Sequence, residues 1–147
     1  MTGRAAAPPR VVLALGLLGV VPFWSIPAAA CLQPEATGVA AALVAIYAAL
    51  ILSFLGGARW GLAVREASPD AAVVGLAMTP TLAAVLVIVV GHGDVPLQLL
   101  GLAAALTLSW AWDVHADGLP PWYGRLRTVL TLGAVGGLCI GLLLLRG

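Results

Sequence analysis

Uncharged apolar runs dominate the chain: Val11–Cys31, Ala36–Ala58, Ala71–Gly91, Val95–Trp112 and Thr128–Leu145. Charged residues fall only in the connections and at the ends. The runs are apolar on all sides, with neither the one-sided stripe of a surface helix nor the alternation of a half-buried strand. A helix rises about 1.5 Å per residue and needs roughly 20 apolar residues to cross a bilayer. Each run meets or approaches that length. The pattern predicts an all-α protein, a five-helix transmembrane bundle occupying residues 1–147 as one integral membrane domain.

Composition strengthens this reading: 62% of residues are hydrophobic and 9% charged, leaving no room for a separate soluble domain. The net charge of +1 says little, but its distribution says more. Arg4 and Arg10 precede the first run, Arg59 and Arg65 separate the second from the third, and Arg125 and Arg127 separate the fourth from the fifth. After five crossings all of these share one side, while the other holds only Arg146. The positive-inside rule then places the N-terminus in the cytoplasm and the C-terminus in the periplasm of a bacterial inner (plasma) membrane. Trp60, Trp110, Trp112 and Trp122 fall near the same arginine-rich boundary, where indole rings favour the headgroup level. Ala28-Ala29-Ala30 has the look of a signal-peptidase site, but the apolar run before it is long for a signal peptide, so the first span is expected to be retained.

Close approach of small residues drives helix association in lipid. The second run carries Ala41, Ala45, Ala49, Ser53, Gly57 and Gly61 at four-residue spacing, and the fifth carries Gly133, Gly137 and Gly141. These ridges predict that the second and fifth helices form the centre of the bundle. Packing within one chain is the expected use, and a homodimer is the alternative. Thr79-Pro80-Thr81 predicts a kink in the third span, with the hydroxyls satisfying carbonyls that the proline frees. Cys31 and Cys139 sit at different depths, so they are read as buried packing residues and not a disulfide.

Candidate chemistry is sparse. A carboxylate at the hydrocarbon edge is costly unless paired, so Asp113 is expected to meet Arg59 or Arg127 and to staple helix ends together. Asp113, His115 and Asp117 are too few and too divergent to predict a metal site, and no metal or cofactor is expected. No nucleophile elbow, phosphate loop or zinc-protease motif is present, and no ionisable group lies near the midplane of any run. The chain is therefore read as not an enzyme.

Three stretches carry a resemblance: Leu15–Phe23, Ser53-Phe54-Leu55-Gly56-Gly57-Ala58-Arg59-Trp60-Gly61, and Trp122–Thr131. In this order they resemble the family of small, transmembrane protein 69-like membrane proteins catalogued as domain of unknown function 3429, which has bacterial members and a mitochondrial relative. The resemblance implies a five-helix integral membrane protein and supplies no activity. It singles out Ser53, Gly56, Gly57, Arg59, Trp60, Asp113, Trp122, Tyr123, Arg127 and Thr131 as binding or structural-functional candidates, with none catalytic.

The expected function is that of a non-enzymatic accessory or assembly factor acting through helix packing and an Arg/Trp cytoplasmic rim. The alternative is a small carrier or a lipid- or quinone-binding protein, which requires an apolar pocket open to lipid with Arg59 or Arg127 at its mouth. Expected partners are membrane lipids and other membrane protein complexes, and no nucleic acid.

Overall fold

A computed structural model describes residues 7–116 and 119–145. Every regular element among the described residues is helical: α1 (Arg10–Ala30), a short 3-10 turn (Pro34–Ala36), α2 (Thr37–Ala63), α3 (Ala71–Leu76), α4 (Thr79–Val90), α5 (Val95–His115) and α6 (Pro121–Leu144). With α3 and α4 taken as one broken span, five helices are long and apolar enough to cross a membrane.

The crossings alternate in direction. On α1 and α6, Gly16 faces Leu130, Val20 faces Gly133 and Phe23 faces Gly137, so these two helices run parallel. α2 runs against α1, with the Tyr47 hydroxyl donating to the Gly19 carbonyl at 2.8 Å. α5 runs against α6, with the Trp110 indole donating to the Thr128 hydroxyl at 2.9 Å. α2 touches every other helix, and α1, α6, α5 and α4 form an arc around it. Val44, Ala48, Leu52, Leu99, Leu102 and Leu106 are the fully enclosed centre. The start of α1, the end of α2, the end of α5 and the start of α6 meet at one end of the bundle, called here the arginine end.

The small-residue ridges differ in extent. On α6, a Cβ at Gly133 would lie 2.7 Å from Val20, and one at Gly137 would lie 2.6 Å from the Cβ of Phe23 and 2.7 Å from its carbonyl oxygen. That carbonyl has no helical partner because residue 27 is proline. On α2, Ala41 and Ala45 are buried, but Gly57 is exposed and a Cβ there or at Gly61 would meet nothing within 4 Å. A four-residue row drifts about 40° per step around a helix, so the buried line leaves it and continues through Leu52, Leu55, Gly56 and Ala63.

The break in the third span lies at Ala77 and Met78, just ahead of Pro80, which sits in the first turn of α4. The Thr79 hydroxyl donates to the Leu76 carbonyl at 2.7 Å, which is the acceptor Pro80 leaves without a partner. Gly56 of α2 accommodates the break, since a Cβ there would stand 2.6 Å from the Ala77 carbonyl oxygen. The cysteines depart from expectation. Both are free and exposed: Cys31 caps the C-terminal end of α1, and Cys139 lies off the α6 packing seam, which is carried by the glycines and Leu138.

Candidate functional site

At the arginine end, three helices each deliver one charge to a shared point. α2 delivers Arg59, α5 delivers Asp113 and α6 delivers Arg127. Arg127 donates from Nε to Asp113 Oδ2 at 2.7 Å, a buried charge-assisted hydrogen bond. Arg59 Nε lies 3.6 Å from Asp113 Oδ1, within ion-pair range but beyond a hydrogen bond. The Arg59 guanidinium is also stacked over the Trp112 ring, 4.5 Å from its centroid. Asp113 and Arg127 are 2% and 5% exposed, so both charges have left water and depend on each other.

The helices outrun the apolar runs at this point. α2 continues past Arg59 to Ala63, α5 past Asp113 to His115, and α6 begins at Pro121, which places Arg125 and Arg127 inside the helix and not ahead of it. Asp117, a member of the sparse acidic and histidine cluster, lies outside the described residues. His115 bonds through Nδ1 to the Ala111 carbonyl at 2.7 Å. No group of three metal-ligating side chains occurs among the described residues.

The clasp is incompletely satisfied. Arg59 Nε, Asp113 Oδ1, Arg127 Nη2 and Thr131 Oγ1 are buried without a hydrogen-bond partner. Thr131 lies one turn beyond Arg127 on the same face of α6 and is 6% exposed. Arg127 and Thr131 are the polar members of the lining of a cleft of about 170 Å³ between α1, α2, α5 and α6. The rest of the lining is apolar, including Leu15, Phe23, Ile51, Phe54 and Ala134. A second hollow of about 570 Å³ lies on the other side of Arg59, with Arg65, Glu66, Trp112 and His115 in its walls.

The remaining candidates are dispersed. The Ser53 hydroxyl shares a hydrogen bond with that of Thr81 at 3.1 Å and links α2 to α4. Gly56 serves the helix break, while Gly57 faces outward with open space around it. Trp60 is 45% exposed. Trp122 and Tyr123 meet edge to face at the start of α6, with ring centroids 6.1 Å apart. Trp112, read from the sequence only as one of the boundary tryptophans, joins the site because the tertiary fold brings its ring under Arg59.

The family model described as Protein of unknown function (DUF3429) matches residues 8–145. The chain belongs to this family. It is 39% identical over 137 residues to a protein named Transmembrane protein 69 from Xenopus tropicalis, covering 86% of this chain and 51% of the relative. It is 31% identical over 142 residues to Transmembrane protein 69 from Mus musculus, covering 92% of this chain and 57% of the relative. The chain thus spans about half the length of these curated relatives. No solved structure matches. The family fits a multi-pass membrane protein, and it brings no chemistry to the clasp.

Proposed function

We propose that this chain is a non-enzymatic accessory or assembly protein of a bacterial inner membrane, with its arginine end in the cytoplasm. The clasp carries the reading: Arg59, Asp113 and Arg127 are engaged with one another across α2, α5 and α6. They hold three helix ends in fixed register instead of converging on a reacting centre. Around the clasp stand exposed Trp60 and the hollow walled by Arg65, Glu66 and His115, a surface of both charge signs suited to a partner's polar segment. The orientation rests on the arginines, which concentrate on one side of the membrane.

The test is gentle extraction of a tagged chain expressed at its native level, followed by native electrophoresis and mass spectrometry. A stoichiometric membrane partner that is lost in Trp60→Ala, with the bundle still folded, supports the reading. Recovery of the chain alone under several mild detergents overturns it. The cleft beside Arg127 favours a second reading, a lipid- or quinone-binding membrane protein.

A further inference from the structure

We propose that the cleft between α1, α2, α5 and α6 is a binding site for a single-chain lipid carboxylate, held head-first against Arg127 and Thr131. The proposal rests on the second reading above and names its ligand.

The first support is the pair of orphaned donors. Arg127 Nη2 and Thr131 Oγ1 are buried, lack partners and belong to the polar lining residues of an otherwise apolar cleft. A buried donor without an acceptor is costly, and the two oxygens of one carboxylate can take both donors one helical turn apart. The second support is charge. Among the described residues the clasp sets two guanidinium groups against one carboxylate and so carries one positive charge in excess. An anionic head balances that excess, whereas a neutral ester or quinone carbonyl supplies an acceptor and leaves the charge uncompensated.

Shape and depth are the third support. An apolar cavity of roughly 150 Å³ holds a benzene ring, so about 170 Å³ admits one narrow chain segment and not the two chains of a phospholipid. The polar lining lies toward the arginine end, and Phe23 and Ala134 lie deeper. A head at Arg127 with its tail toward the bilayer centre matches how a lipid already stands in that leaflet. Leu15 and Phe54, 63% and 69% exposed, lie at the lips of the cleft, so the rest of the chain can pass into the bilayer between α1 and α2.

The test uses the whole chain in nanodiscs and a palmitate analogue carrying a mid-chain diazirine. Photolabelling should map to cleft-lining residues of α1, α2 and α6. Palmitate should displace the probe at a concentration at least about ten-fold lower than methyl palmitate or decylubiquinone, the expected return from a charge-assisted hydrogen bond. Thr131→Val, which keeps the shape and removes one donor, should weaken palmitate binding about five- to ten-fold. Gly19→Leu should abolish cleft labelling, because a Cβ there meets only the Tyr47 hydroxyl at 3.9 Å and the added side chain can fill the space. Gly57→Leu, in open surroundings, is the control and should label like the parent. Both leucine variants are compared by size exclusion and thermal unfolding, and Thr131→Val supplies the test should Gly19→Leu not fold.

Equal competition by methyl palmitate overturns the carboxylate assignment. Preference for decylubiquinone overturns it too while leaving a ligand-binding protein. Labelling outside the cleft, or labelling unchanged by Thr131→Val and by a folded Gly19→Leu, overturns the site itself and the second reading with it.

Discussion

Replacing Gly137 with alanine tests whether α1 and α6 are held by backbone proximity. The added Cβ would lie 2.6 Å from the Phe23 Cβ, 2.7 Å from its carbonyl oxygen and 2.9 Å from its carbonyl carbon. Two of these atoms are backbone, so no rotamer change relieves the clash. Ordinary contact begins near 3.4 Å, and α1 must therefore retreat from α6 by roughly 0.8 Å, the difference between 3.4 and 2.6 Å. A gap of that size forfeits about a quarter to a half of each dispersion contact, worth ~0.1–0.2 kcal/mol apiece. For a seam making as many contacts as one buried leucine, about 40–60, the loss is about 1–6 kcal/mol. Overpacked cores typically lose about 1–3 kcal/mol, and alanine returns up to about 1 kcal/mol through helix propensity. The net expectation is destabilisation by about 2 kcal/mol. In globular chains of this size that corresponds to a fall in Tm of about 4–8 °C.

Gly57→Ala supplies the reference, since its Cβ meets nothing within 4 Å and it gains the same propensity. Thermal unfolding of both variants in one detergent should place Gly57→Ala at or above the parent and Gly137→Ala clearly below it. Equal Tm values would show that the α1–α6 seam does not depend on close backbone approach, and the packing argument would fail.

The clasp predicts an asymmetry: Arg127→Leu should cost more stability than Arg59→Leu, by at least about 1 kcal/mol in chemical unfolding, because only Arg127 makes a hydrogen bond to Asp113. At the helix break, Thr79→Val should cost about 1 kcal/mol by leaving the Leu76 carbonyl without its donor. Thr81→Val should leave that carbonyl satisfied and instead loosen α2 from α4, seen as faster hydrogen exchange in α4 than in the parent.

Apolar length made five membrane-spanning helices legible in the sequence, and the glycines at 133, 137 and 141 marked the α6 seam. The span ends near Arg59, Asp113 and Arg127 were not legible, for one shared reason. A charge read alone marks the edge of hydrocarbon, because an isolated ion is expensive there. Here both arginines share one carboxylate, Arg59 lying 54 residues from Asp113 in sequence and Arg127 lying 14, so all three helices continue past the expected edge. The arithmetic is tertiary, and no local window contains it. The drift of the α2 ridge at Gly57 is legible from helix geometry in direction only; where the buried line goes depends on which neighbour arrives. The cleft was likewise hidden, since its apolar lining residues look like any other membrane helix positions until Arg127 and Thr131 are seen to share their wall.

A buried ion cluster is weak evidence for stability by itself, because well-packed apolar residues of similar volume often replace such clusters without loss. This makes the clasp separable from its use. Asp113→Leu alone leaves two guanidinium groups facing each other without a counter-ion and should destabilise the bundle by about 3–5 kcal/mol. The triple variant Arg59→Met, Asp113→Leu, Arg127→Met removes every charge together and should recover most of that loss in the same unfolding assay. A triple variant as unstable as Asp113→Leu would show that the three charges are needed to assemble the helix ends, and the separation would collapse. If the triple variant folds yet no longer retains palmitate, the charges at this end of the bundle serve recognition, with the staple as a consequence of keeping them buried.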